Sequence, residues 1–569
     1  VGRRPRRSLM AGMDFHTNWQ QFHADDWPGT ALSTQGADVM KTIFHRMASV
    51  GGVMIALAIL SCGQPAWGQS SVRTFTGTTS EFWTIGSNWT PSGVPNAADI
   101  WAQIDSRSTT GSPQRILYTS SNLSTAPSMS LGAISFLPTL TLSSGTSLSV
   151  QNNSSGTKGT LRLFGIDTTI DGVPRRIVLD NSSTLSNVSF TQTLAGQDFE
   201  LNTDGAIHVA QGATLTSTAK VIQNGGGRSL TKIGPGLLVL SGTTAADSVY
   251  SGGFVMEQGT VQWTNSGSAA ASPFGIGPLT LRGGTLRSTT DTGRSINVSV
   301  VLDGGATLGS TAAGFTGNVT INSNSGALST TLASDSEVVI PGAALTIWNQ
   351  AVSGTGGLTK SGTGTLRFSG TGGDLTYSGT TIVQAGTLDV GANLVGTGAV
   401  EVRSGGLLEG TGSIAGATTI LAGGILAPGA SPGVLSFGSD LTLAGTTVME
   451  INGPVRGTDY DGVNVAGGLG YGGTLELQIP SLLAEGTYEL FNGFASQTST
   501  FSSVTLSGAY TGVLSESAGV WTGSFGGQDF TFTNATGDLS VVPEPSLLAL
   551  AGLAGAAATA LGRRRMRRD

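Results

Sequence analysis

Leu230-Thr231-Lys232-Ile233-Gly234-Pro235-Gly236-Leu237-Leu238-Val239-Leu240-Ser241-Gly242 leads to Tyr250-Ser251-Gly252 and then to Gly259-Thr260-Val261. The same order returns as Leu358-Thr359-Lys360-Ser361-Gly362-Thr363-Gly364-Thr365-Leu366-Arg367-Phe368-Ser369-Gly370, Tyr377-Ser378-Gly379 and Gly386-Thr387-Leu388. Each copy reads as a short strand, a glycine turn, a short strand, a loop, and a strand that opens with Tyr-Ser-Gly and closes before Gly-Thr. The match is too ordered for composition alone.

Shorter echoes surround the two copies: Gly283-Gly284-Thr285-Leu286, Gly405-Gly406-Leu407-Leu408, Gly423-Gly424-Ile425-Leu426 and Gly472-Gly473-Thr474-Leu475. The second and third lie 18 residues apart. A period of about 18 to 20 is one coil of a β-helix, built from three short strands and three turns. Alternation such as Leu366-Arg367-Phe368 sends one side chain inward and the next to solvent. Gly and Asn suit turns that need positive φ, and outward Thr and Ser suit a sheet that continues coil after coil.

The two long copies resemble the autotransporter-associated β-strand repeat, a family of parallel β-helix rungs. That resemblance implies an all-β chain, a right-handed parallel β-helix, and the period gives it about 20 coils. At about 4.8 Å per coil the body would extend on the order of 100 Å, with atypical capping segments at its ends.

Composition agrees. Of 569 residues, 87 are Gly and 19 are Pro, and only 11% are charged, against about 25% in ordinary globular chains. Over 69–541 there are 17 Lys or Arg and 29 Asp or Glu, a net charge of −12, which argues against nucleic acid as a partner. Cys62 is the single cysteine, and of four histidines only His208 lies within 69–541. A Ser/His/Asp triad could therefore use only His208, and no zinc site of His and Cys ligands can be assembled there.

Both ends read as export signals. Met40-Lys41-Thr42-Ile43-Phe44-His45-Arg46 is a basic n-region, 50–60 is an apolar stretch, and Ala66-Trp67-Gly68 offers small residues for a signal-peptidase cut before Gln69. Segment 40–68 is thus expected to engage the Sec translocon and signal peptidase; a lipoprotein cut before Cys62 is the lesser alternative. Residues 1–39 read as translated upstream sequence with no fold. At the other end, Val542-Pro543-Glu544-Pro545 precedes an apolar run over 547–561 and the cluster Arg563, Arg564, Arg565, Arg567 and Arg568. As a helix, 546–562 would reach about 25 Å, the short limit for a bilayer, with the arginines held in the cytoplasm.

This tripartite tail, 542–569, resembles the PEP-CTERM sorting signal of Gram-negative bacteria, recognised by the membrane transpeptidase exosortase. The resemblance implies a transient stay in the inner membrane on a single hydrophobic helix, a cut near Pro543-Glu544-Pro545, and release to the cell surface or the exopolysaccharide matrix. An unprocessed membrane anchor is the alternative. Between the signals, 69–220 is expected to be a β-rich cap and first coils, marked by Phe82-Trp83 and Asn88-Trp89. Repeats fill 221–456, and 457–541 is expected to form a sandwich-like or widened cap. No barrel-like segment follows the repeats, so self-export is not expected.

Parallel β-helices also host pectin-degrading enzymes. Asn202-Thr203-Asp204-Gly205, with His208 nearby, resembles one polygalacturonase motif, but the Asp-Asp pair, Gly-His-Gly and Arg-Ile-Lys of that set are missing from 69–541. Glycoside hydrolysis needs two placed carboxylates. Asp459 and Asp461 fall short of the six to eight oxygens that Ca²⁺ takes, and read as turn carboxylates. Gly225-Gly226-Gly227 and Gly234-Pro235-Gly236 have no strand-loop-helix context for phosphate, and read as turns. The expectation is a non-catalytic structural or adhesive protein without metal or cofactor, with exopolysaccharide as a candidate partner. A polysaccharide-binding or polysaccharide-cleaving β-helix is the alternative.

Overall fold

Within the first copy, Ser229–Ile233 is a strand, Gly234 turns the chain at φ +76°, and Leu237–Leu240 is the next strand. The chain returns as Gly253–Met256, turns at Gly259 with φ +75°, and continues as Thr260–Trp263. Each returning strand lies in parallel register on the one a coil earlier, with Leu230 beside Phe254 and Leu238 beside Val261. A Cβ at Gly259 would lie 2.5 Å from the carbonyl oxygens of both Gly234 and Gly236. Positive φ and this close approach explain why a glycine precedes the final strand of the motif.

The structure, a computed structural model, describes residues 71–544 apart from 76–86, 88, 95, 105–113, 118–128, 137–147, 152–159, 183–187, 192–197, 242–247, 267, 269–271, 324–325 and 430. They belong to one compact unit, Gln69–Asp569. The segments 40–68 and 545–569 lie outside the described residues, so the helix expected at 546–562 does too.

Repetition of this course winds a three-sided parallel β-solenoid. The first side runs from Ser71–Phe75 to Ala351–Gly354, then passes through Leu375 into Asn393–Leu394 and the coils beyond. The second is a 16-stranded ladder from Gln114–Leu117 to Ser496–Thr498. The third is 11-stranded, from Arg294–Ile296 to Gly512–Val513. Among the described residues there is no α-helix.

The sequence period predicts about 20 coils, more than the 16 strands that stack on the second side among the described residues. Coil length is not constant. Val400 sits on Thr418, 18 residues on, whereas Leu441 sits on Leu469 and Ala306 on Val338. The excess is carried by loops such as 309–318, which leave the strands in register but break the period.

Inward residues alternate along the strands and fill the coil. Leu366 and Phe368 are buried and Arg367 is exposed between them. Trp263, Phe274 and Phe254 stack edge to face, with centroids 5.7 and 5.8 Å apart. At the N-terminal end Ser71–Phe75 lies parallel to Ala97–Ile104 and antiparallel to Trp89–Thr90, and Phe75 meets Trp89 at 5.0 Å.

Parallel coils continue beyond Gly457 to Ser503–Gly508, within the stretch that the changed sequence pattern assigns to a cap. The closing element is a single antiparallel sheet of five strands, in the order Gly486–Glu489, Asp538–Pro543, Gln528–Thr533, Val520–Phe525 and Ser515–Ser517. Phe532 from this sheet packs within 6.2 Å of Tyr471, Phe491 and Phe501 of the last coils. An antiparallel sheet offers no parallel strand for a further coil, which ends the ladder.

Candidate functional site

The repeats carry one unusual group each. Lys232 and Lys360 point into the coil and are fully buried. Lys232 Nζ donates to the carbonyls of Ile233 (2.9 Å), Gly234 (2.6 Å) and Gln258 (3.3 Å). Lys360 Nζ donates to Ser361 (2.9 Å), Gly362 (2.8 Å) and Ala385 (2.9 Å). Each ammonium thus ties the glycine turn of its own coil to the turn of the next one. Burial pulls Lys232 down to about 7 and Lys360 to about 8. The clamp leaves no face of either amine open to a substrate.

His208, the one histidine that a triad could use, lies opposite Asp180 on the neighbouring strand. Its Nδ1 is 2.8 Å from Asp180 Oδ1. Ser182 Oγ donates to the same carboxylate oxygen at 2.7 Å and lies 3.4 Å from Nδ1. A nucleophilic triad needs the hydroxyl at Nε2 and the carboxylate at Nδ1. Here both share the Nδ1 side, and Nε2 is packed so closely on Gly234 that a Cβ there would lie 2.8 Å away. The cluster fixes a ring between coils; it does not activate Ser182.

The Asn202-Thr203-Asp204-Gly205 motif is a turn. Asp204 Oδ1 accepts from Ser229 N at 2.9 Å, and Asn202 Oδ1 accepts from Asn224 Nδ2 at 2.8 Å. Asp461 accepts from Gly433 N (2.8 Å) and Glu450 N (2.7 Å), one donor for each oxygen, and Asp459 accepts from Val455 N at 3.0 Å. Burial pushes the Asp461 carboxyl up to about 7 against those two donors. Among the described residues no group of His, Cys, Asp and Glu could hold a metal ion. Gly225, Gly227 and Gly234 have positive φ, as turns require, and lead into strands.

These contacts belong to a wider pattern. Asp291 accepts from Thr316 N, Asp335 from Gly357 N and Asp440 from Gly468 N, each at 2.7–2.9 Å and each reaching the following coil. Carboxylates occurring singly therefore staple coil to coil through backbone amides, with no basic partner needed. Elsewhere a line of ion pairs runs across coils: Glu257 binds Arg175 at 2.6 Å and Arg282 at 3.7 Å, and Arg282 binds Asp303 at 3.0 Å. Arg282 holds the Asp303 carboxyl below its ordinary range.

Charge is unevenly divided. Residues 69–368 contain 15 Lys or Arg and 15 Asp or Glu, and 369–541 contain 2 and 14, so the whole excess of −12 falls in the last part. There, on the third side, Glu409 stands in register beside Asp389; burial first, then the Asp389 charge, raises its carboxyl. On the first side of the same coils, Asn393, Ser413, Ser436, Asn464 and Asn492 align in one outward column. Ser413 Oγ donates to Asn393 Oδ1 at 3.0 Å, and Asn464 Nδ2 to Ser436 Oγ at 3.2 Å. Neither this column nor the Asp180–Ser182–His208 cluster had a local sequence signal, because its members come from different coils.

One interior cavity, about 40 Å³, is lined by Leu201, Leu215, Leu238, Phe254, Ser248 and Tyr250 among others. Its volume suits a few waters, at about 10–15 Å³ each, and no larger ligand.

Of the sorting residues, Val542, Pro543 and Glu544 are described, at the end of the strand Asp538–Pro543. Ala66, Gly68, Gln69, Pro545, Arg563, Arg564, Arg565, Arg567 and Arg568 lie outside the described residues.

The passenger-associated transport repeat family matches the chain at residues 230–262 and 358–390. These are the two segments whose lysines form the clamps. Such repeats on a parallel β-solenoid indicate an exported, autotransporter-like passenger of Gram-negative bacteria. No curated protein and no solved structure matches the chain.

Proposed function

We propose that this chain is a non-catalytic structural or adhesive solenoid of the cell envelope or exopolysaccharide matrix. It leaves the cytoplasm through the Sec translocon on segment 40–68, is cut before Gln69, and rests in the inner membrane on 546–562. Exosortase then processes the 542–569 tail and releases the body to the surface. The observation that carries this is the pair of passenger-associated repeats folded as equivalent clamped turns of one solenoid. Asp204, Asp459 and Asp461, which resemble catalytic or metal-binding residues in sequence, are held by backbone amides, which supports a structural body.

Mass mapping of both ends of the protein from its own host tests the reading. A chain that starts at Gln69 and stops near Pro545 supports it. Retention of Arg563 to Arg568 would make the protein a membrane-tethered rod instead.

A second reading is favoured by the uncharged column from Asn393 to Asn492. Amides and hydroxyls repeating at the strand spacing of about 4.8 Å suit a chain of hydroxyl-rich sugars laid along the solenoid. Co-sedimentation of the purified body with host polysaccharide, without loss of its viscosity, would select binding over cleavage.

A further inference from the structure

The final strand of the cap, Asp538–Pro543, overlaps the start of the sorting motif. Val541 is buried and paired on both sides, with Gly486 of one neighbour and Phe530 of the other. One residue later the environment changes. Among the described residues Val542 is paired only with Asp529, and it is 46% exposed; Pro543 lies opposite Gln528, and Glu544 N donates to Gly527 O at 3.0 Å. Because hydrogen-bonded and non-hydrogen-bonded pairs alternate in an antiparallel ladder, the Glu544–Gly527 bond places Pro543 at a position needing no N–H.

We propose that residues 542–544 form a detachable tab: cutting at the motif waits on their release from Gly527, Gln528 and Asp529, while Val541 keeps the rest of the cap closed. This rests on the exosortase reading above and adds how the cut is governed. A processing enzyme takes its substrate as an extended backbone with free N–H and C=O groups. In the folded cap Val542 is paired with Asp529, and Glu544 N is bonded to Gly527 O instead. Release of the tab breaks few hydrogen bonds and exposes little new apolar surface, so fraying supplies it without unfolding the body. Release of one residue more would uncover Val541 and break pairing on two sides. The cut is therefore confined to the tab, and the product keeps its complete cap.

The test is a pair of engineered disulfides in the full-length chain, expressed in its host with Cys62→Ser to remove the native thiol. Asp529→Cys with Val542→Cys ties down the tab. Thr531→Cys with Ser540→Cys joins the same two strands upstream and leaves the tab free. Both pairs are directly opposite in register, at about 5.5 Å between Cα atoms for this pair type, within the range a disulfide spans. The readout is the rate at which the Arg563–Arg568 tail is lost, with and without reductant. The tab bridge should slow that loss by about tenfold or more, as the cut-competent population falls, with recovery on reduction. The upstream bridge should have no effect. Loss at the wild-type rate from the bridged tab, or equal block by both bridges, would overturn the tab. If the unbridged chain also keeps its tail, the exosortase reading itself fails and takes the tab with it.

Discussion

Lys232 and Lys360 make the same clamp at different corners of the solenoid. Lys232 lies at the turn from the first side to the second, where Ser229–Ile233 pairs with Gly253–Met256 and Leu237–Leu240 with Thr260–Trp263. Lys360 lies at the turn from the second side to the third, where Leu358–Ser361 pairs with Thr381–Val383 and Thr365–Phe368 with Gly386–Val390. The motif is therefore a corner module that tolerates being moved by one side. What it conserves between its two copies is local: an inward lysine, a glycine turn, and carbonyls from two successive coils.

Acylation of amines under native conditions checks the clamp. A depressed pKa makes an accessible lysine more nucleophilic, so protection of Lys232 and Lys360 can come only from burial. Lys220, on a partly exposed strand, should be modified at pH 8. Lys232 and Lys360 should react only after unfolding in denaturant, as read by peptide mass mapping. Equal labelling of all three in the folded protein would exclude the clamp.

A pair of tyrosines gives a contrast between the two modules. Tyr377 Oη lies 2.6 Å from Thr381 Oγ1, but the buried Tyr250 hydroxyl has no partner among the described residues, because Phe254 stands where Thr381 stands. Tyr377→Phe should cost about 0.5–1.5 kcal/mol, the usual net loss for a hydrogen bond. Tyr250→Phe should be neutral or stabilising, since it removes an unsatisfied buried hydroxyl. Urea midpoints of the two variants decide the matter. Equal losses would mean that water in the neighbouring cavity holds Tyr250.

Much of the solenoid was legible in sequence because its rules are local. Leu366-Arg367-Phe368 announces a strand with one buried face, and Gly386-Thr387 announces the turn before the next. Coil number was not legible, because loops such as 309–318 change the spacing without changing the register. Nor was the shift of the second module by one side, which depends on the summed length of several loops. Asp459 and Asp461 read in sequence as turn carboxylates, but the partners of Asp461, the amides of Gly433 and Glu450, reach it only through the fold. The tail, by contrast, is readable as a pattern of composition and lies outside the described residues beyond Glu544.

Asp461 should leave a mark on the pH dependence of stability. Its folded pKa of about 7 lies above the unfolded value near 3.9, so between these the folded chain keeps a proton that the unfolded chain has lost. Its contribution is therefore complete below about pH 4, declines as pH rises to about 7, and then stays constant. Asp461→Asn abolishes this titration and offers one acceptor oxygen to two amides, which should cost about 1–3 kcal/mol for the amide left unpaired. Chemical denaturation at pH 4.5 and pH 8 should show the gap between wild type and variant shrinking at the higher pH. A gap independent of pH would place the Asp461 titration elsewhere.

The final strand is the part of the cap on which solubility should turn. Leu539 and Val541 are both fully buried, and the strand lies between Gly486–Glu489 and Gln528–Thr533, so removing it opens two edges at once. The lost burial of these two side chains alone amounts to about 3–6 kcal/mol. A body ending after Glu544 should melt where the longer chain melts, whereas one ending after Gly537 should expose Phe530 and Phe532 and associate through its free strand edges. Light scattering during thermal melts of the two bodies separates these outcomes. If the shorter body stays monomeric and melts at the same temperature, the antiparallel sheet does not close the solenoid, and the end of the last coil must be protected by the coil itself.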